Sequence, residues 1–154
     1  MAVQTDFLDI SFFVSGGDYR NSTFTGTTLS GVSGSGQFLL VNMTTSAFTI
    51  QTSSAGSTLR QLGVLQNKPS TGLAADVKIF GVSKVVLGST VSIGSVAVGQ
   101  LVGISSVTTG AVSVASSTTA FPVGVALEAA STAGTIFSVM LFGAGAGTGY
   151  LFGV

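Results

Sequence analysis

Short apolar runs broken by glycine and small polar residues set the pattern of this chain. Phe7, Leu8, Ile10, Phe12 and Phe13 partly alternate with polar positions, which fits a short strand, and Gly16-Gly17-Asp18 then breaks it. Tyr19 to Gln37 is poor in large apolar residues and rich in Gly, Ser and Thr. From Phe38 the strand signals become denser. Phe38-Leu39-Leu40-Val41 is a buried-type run and Ala47 to Gln51 alternates. Leu59 to Gln66, Val77 to Leu87, Val91 to Val96, Leu101 to Ile104, Ala111 to Val114, Val123 to Leu127 and Ile136 to Phe142 follow, separated by turn residues. Valine and threonine, frequent throughout, favour strands because a branched Cβ packs well on a pleated surface. Strands at such regular short spacing predict an all-β chain: a compact β-barrel or sandwich of short antiparallel strands.

Two segments repeat one design. In 62–81, Gly63-Val64 opens an apolar run, Asn67 to Gly72 supplies turn chemistry, and Val77 to Phe80 leads back to Gly81. In 123–143, Gly124-Val125 opens, Ser131-Thr132 and Gly134 turn, and Phe142-Gly143 closes. The offset is 124 − 63 = 61 at the Gly-Val pair and 134 − 72 = 62 at the turn glycine, so Ala133 is the inserted residue. Both segments read as β-hairpins, used twice in one domain, with Gly81 a bend or bulge. The expected organisation is an N-terminal arm and flexible connector over 1–37, a β domain over 38–143 and a glycine-rich C-terminal tail over 144–154. The first stretch has two readings: an arm that docks elsewhere, or an edge strand of the same domain followed by a long loop. Its apolar cluster Phe7, Leu8, Ile10, Phe12 and Phe13, the polar-aromatic Tyr19 and Arg20, and the tail tip Tyr150, Leu151 and Phe152 are the candidate contacts to neighbouring subunits or a larger partner.

Charge changes the picture. Only 6 % of the 154 residues are charged, against about 25 % in an average domain, and the net charge is zero. Five scattered Lys and Arg make no phosphate-binding patch, so no nucleic-acid partner is expected. So few charges leave an isolated chain's surface poorly dressed and predict self-association. Mean hydropathy is +0.71, and Ala129 to Val154 carries no charge. Four alternating glycines from Gly143 to Gly149 disfavour a helix there, so no membrane span is expected. Met1 to Asp6 lacks the basic start and apolar core of an export signal.

Candidate chemistry is sparse. The chain has no histidine and no cysteine, which excludes Ser-His-Asp and Cys-His arrangements and thiolate or imidazole metal sites within it. No phosphate-cradling glycine motif occurs. Asp76 and Glu128 could form a carboxylate pair, but solvated turn residues are the favoured reading, as for Asp6 and Asp9. Lys78 and Lys84, on either side of Gly81, suit an exposed edge that discourages pairing. The expectation is a non-enzymatic structural protein without a cofactor or metal.

Gly63-Val64-Leu65-Gln66-Asn67-Lys68-Pro69 and Gly81-Val82-Ser83-Lys84-Val85-Val86, with Val98-Gly99-Gln100-Leu101-Val102 and Val123 to Ala130, resemble small head-decoration (capsid cement) proteins of tailed bacteriophages. The likeness spans about Leu59 to Leu141. It implies a compact β-barrel-like homotrimer on the outer surface of the virion, bound to the major capsid protein and stabilising the head. It brings no catalytic residues. A phage tail or fibre component, or a surface-layer or adhesin subunit, is the alternative class.

Overall fold

The computed structural model describes residues 9–14, 36–45, 49–54, 61–69, 73–88, 95–115 and 122–142. The protein is all-β. Among the described residues ten strands occur in chain order: β1 Asp9–Val14, β2 Leu40–Met43, β3 Thr49–Thr52, β4 Gly63–Leu65, β5 Ala74–Lys78, β6 Phe80–Val86, β7 Leu101–Ile104, β8 Val112–Val114, β9 Pro122–Ala126 and β10 Ile136–Phe142. They form two five-stranded sheets. In the first, β1-β5-β4-β2-β3 neighbour one another and β1 also pairs in parallel with β3, closing the ring. The second runs β6-β10-β9-β7-β8. It curls the same way, and the residue after β6, Leu87, bridges in parallel to Val112 in β8.

The two sheets are one design built twice. In each half the strands lie in the order first-fifth-fourth-second-third. Registers agree as well. Leu40 opposite Val64 matches Leu101 opposite Val125, and Val41 opposite Gly63 matches Val102 opposite Gly124. In the hairpins, Leu65 opposite Val77 matches Ala126 opposite Val139. Met43 opposite Ile50 matches Ile104 opposite Val112, and Val14 beside Ile50 matches Leu87 beside Val112. The offsets are 82 − 9 = 73 for β1 to β6, 61 for β2 to β7, 62 for β3 to β8, 61 for β4 to β9 and 62 for β5 to β10. A slip of one residue turns every side chain to the other face, so shared register means shared inward positions.

Those inward positions build equivalent cores. Val41, Ile50, Leu65, Ala75 and Val77 cluster in the first unit. Their counterparts Val102, Val112, Ala126, Phe137 and Val139 all lie in the second unit's cluster. Leu65 and Ala75 become Ala126 and Phe137, so a large-small pair on diagonal neighbours is exchanged for small-large and the space stays filled.

Backbone details repeat too. Phe38 N–H donates to Leu65 O and Gly99 N–H to Ala126 O, both at 2.8 Å. Phe38 (φ 65) and Gly99 (φ 83) share the left-handed conformation that the position imposes. Gly63 and Gly124 each lie against the partner strand of their hairpin, where an added Cβ would strike the carbonyl of Lys78 or Met140.

Several sequence expectations need amending. Residues 9–14, read as arm or edge strand, are paired on both sides in the first sheet, so this part is no free arm. The run from Val77 to Leu87 is two strands. The chain leaves β5 at Ile79 and enters the second sheet as β6, with Gly81 at φ 91 just past the crossing. Lys78 therefore sits on a strand flanked by β4 and β1 rather than on an edge. Strand pairing of β10 with β6 and β9 occupies the middle of the uncharged C-terminal stretch. Among the described residues no helix is long and apolar enough to cross a membrane.

Candidate interaction site

The outer face of the second sheet concentrates the exposed apolar side chains. Because alternate residues of a strand share a face, the inward set of β6 and β10 leaves Phe80, Val82, Ile136, Met140 and Phe142 pointing outward. Register aligns them across the strands. Val82 lies opposite Met140, Met140 opposite Val125, and Val125 opposite Leu101, giving one apolar row over β6, β10, β9 and β7. Phe80 lies opposite Phe142 in a second row. Phe80, Val82 and Met140 are 53 %, 50 % and 38 % exposed, whereas Leu101, Val125 and Phe142 are half-buried. Exposed apolar side chains aligned in this way make the face a candidate association surface.

A polar row runs along one side of these apolar rows. Lys84 lies opposite Ser138, and its Nζ reaches Glu128 Oε2 at 3.0 Å. Ser138 N–H donates to the same carboxylate oxygen at 2.7 Å. The Lys84 hydrogen bond first, then the Ser138 amide, lowers the Glu128 pKa below its ordinary 4.5. Asn67, the counterpart of Glu128 in the first hairpin, accepts from Asp76 N–H at 3.1 Å. One backbone amide is thus capped by a neutral side chain in one unit and a charged one in the other.

The two carboxylates weighed as a catalytic pair occupy non-equivalent positions in different hairpins: Asp76 corresponds to Ser138, and Glu128 to Asn67. Glu128 is engaged by Lys84 and Ser138. Among the described residues no group of three or more His, Cys, Asp or Glu could hold a metal ion.

Of the contacts expected from the sequence, Ile10, Phe12 and Phe13 fall in β1, at backbone positions opposite Val77, Ala75 and Ala74. Phe7, Leu8, Tyr19, Arg20, Tyr150, Leu151 and Phe152 lie outside the described residues. The face on β6, β10, β9 and β7 was not singled out from sequence. The alternation Phe80-x-Val82 and Ile136-x-x-x-Met140-x-Phe142 could have indicated it, since both faces of these strands carry apolar residues. No protein-family description matches this chain, and no curated protein or solved structure matches it.

Proposed function

We propose that this chain is a structural, non-enzymatic decoration protein of a tailed-bacteriophage head. It binds the outer surface of the major capsid protein shell, associates with copies of itself as a trimer, and stabilises the head. The observation that carries this reading is the apolar face over Phe80, Val82, Leu101, Val125, Met140 and Phe142 in a chain with ten charged residues of 154. A chain so short of charge gains more by covering such a face than by displaying it. The resemblance through Gly63 to Pro69 and Val123 to Ala130, which fall on the matched hairpins, supplies the class of partner. Many copies on a shell multiply modest contacts by avidity.

The test mixes purified protein with expanded capsids that lack it and examines them by negative-stain microscopy and by thermal disruption. Saturable surface density and a raised disruption temperature are expected; bare shells at saturating protein would overturn the reading. A variant lacking residues 1–8 stops short of β1 and tests Phe7 and Leu8 as contacts without opening the first sheet. The fold's whole-unit repeat favours one second reading, a tail or fibre component. That reading predicts open filaments of the protein alone.

A further inference from the structure

The repeat relates a covered face to an open one. In the first unit Leu40 and Val64 occupy the outward row and are 1 % and 0 % exposed, because they pack into one cluster with Val85 and Leu87, on and just after β6, and with Val96 and Val102. The residue after β4 is tied to the same strand, Gln66 Nε2 donating to Ser83 Oγ at 2.9 Å. The counterparts of Leu40 and Val64 are Leu101 and Val125, which stay half-buried with no such cover among the described residues. Their row continues through Met140 and Val82, where the first unit has Lys78 and, at the register position in β1, Asp9. The open face is thus the covered face with its charged half replaced by apolar residues.

Part of the first unit's cover is the chain that leaves its fifth strand. β5 ends at Lys78, and Ile79-Phe80-Gly81 carries the backbone across with Gly81 at φ 91, so that Val85 and Leu87 join Leu40 and Val64. The offset of 62 that relates β5 to β10 places Leu141-Phe142-Gly143 at the same step. An aliphatic residue and then Phe-Gly leave both strands, and glycine at the last position accepts the left-handed backbone of such a crossing. The counterparts of Val85 and Leu87 are Gly147 and Gly149, and the large apolar side chains come directly after them, at Tyr150, Leu151 and Phe152. Residues 143–154 carry no charge and lie outside the described residues. Their reach is sufficient. Leu101, two strands from β10, is roughly 10 Å away, and the seven residues 143–149 span up to about 23 Å.

We infer that the segment after β10 folds back over the outer face of its own second unit and seats Tyr150, Leu151 and Phe152 on the row of Leu101, Val125, Met140 and Val82. It is the second unit's version of the cover that β6 gives the first, and its tether supplies a high effective concentration. The seat lies on the face through which association is proposed above, so copies that join there displace the segment, which acts as a brake on assembly. The brake rests on that proposed association; the seat does not.

The chain has no tryptophan, so Tyr150→Trp places a single reporter in the full chain. At concentrations where sedimentation gives the 15.2 kDa monomer, its emission is expected to be blue-shifted, shielded from a soluble quencher and unchanged on further dilution. Adding Met140→Lys, the first unit's residue at that register position, should shift the emission to the red with an unchanged far-ultraviolet spectrum; Val125→Glu serves if that variant does not fold. Solvent-exposed emission in the monomer overturns the inference. So does blue emission that both variants leave unchanged, or that fades on dilution, which would assign the segment to another copy. Leu151→Asp reads the brake: its multimer is expected to persist to several-fold lower concentration than that of the unaltered chain, and equal or weaker association overturns the brake. A chain that forms no multimer with or without Leu151→Asp contradicts the proposed association, while the emission still decides the seat.

Discussion

Gly124 and Gly99 show two different reasons for a glycine, and they separate by measurement. At Gly124 an added Cβ would meet the Met140 carbonyl and lie 2.5 Å from Val139 Cγ1, so β9 and β10 must part. At Gly99 nothing lies within 4 Å, and only the left-handed backbone at φ 83 resists a side chain. Gly124→Ala should cost about 1–3 kcal/mol, as overpacking does, and Gly99→Ala about 1 kcal/mol, the cost of the left-handed region. Urea midpoints at unchanged slope measure both; a larger loss at Gly99 would contradict this assignment. Phe38 adopts Gly99's conformation and meets its cost by packing on the second unit's cluster. The Glu128 carboxylate makes a pH prediction. Its folded pKa lies below the ordinary value of 4.5, so the ion pair's contribution is complete above the unfolded pKa and is lost as pH falls through the folded one. Both side chains are about half exposed, at 44 % and 51 %, so the effect is modest and screened by salt. Comparing melting temperatures with Glu128→Gln across the acidic range should show a shallower acid decline in the variant; identical slopes would remove the ion pair's role.

At the level of elements, the two hairpins were legible because their Gly-Val openings, turn residues and Phe-Gly closures are repeated as letters. Their inferred offsets, 61 before the turn and 62 after it, match the registers of β4 with β5 and β9 with β10. The rest of the duplication was hidden. β1 and β6 share no identical residue at matched positions, for Asp9 to Val14 correspond to Val82 to Leu87. Core positions conserve combined size rather than identity, as in Leu65 with Ala75 against Ala126 with Phe137. The spacing also shifts, from 73 at β1 to 61 at β2, because the connection after β1 is longer by twelve residues than its counterpart after β6. No single period therefore aligns the halves. The break at Ile79 was equally hidden: the residues from Val77 to Leu87 have strand character on both sides of the bend expected at Gly81, and only tertiary pairing assigns β5 and β6 to different sheets. The proposed interaction face depends on that assignment, since it needs Val82, Met140, Val125 and Leu101 brought together from four strands.

For the whole molecule, the second unit receives the first on one side and presents the first unit's covered face, made more apolar, on the other. On the proposed reading the scarcity of charge has a physical use: the apolar area that an isolated chain exposes is the surface by which copies join. Light scattering of the full purified chain over a range of micromolar concentrations tests this most directly. The expected result is a species several times the 15.2 kDa chain mass, which dissociates on dilution and on introduction of Val125→Glu. A monodisperse 15.2 kDa monomer throughout the range would contradict it.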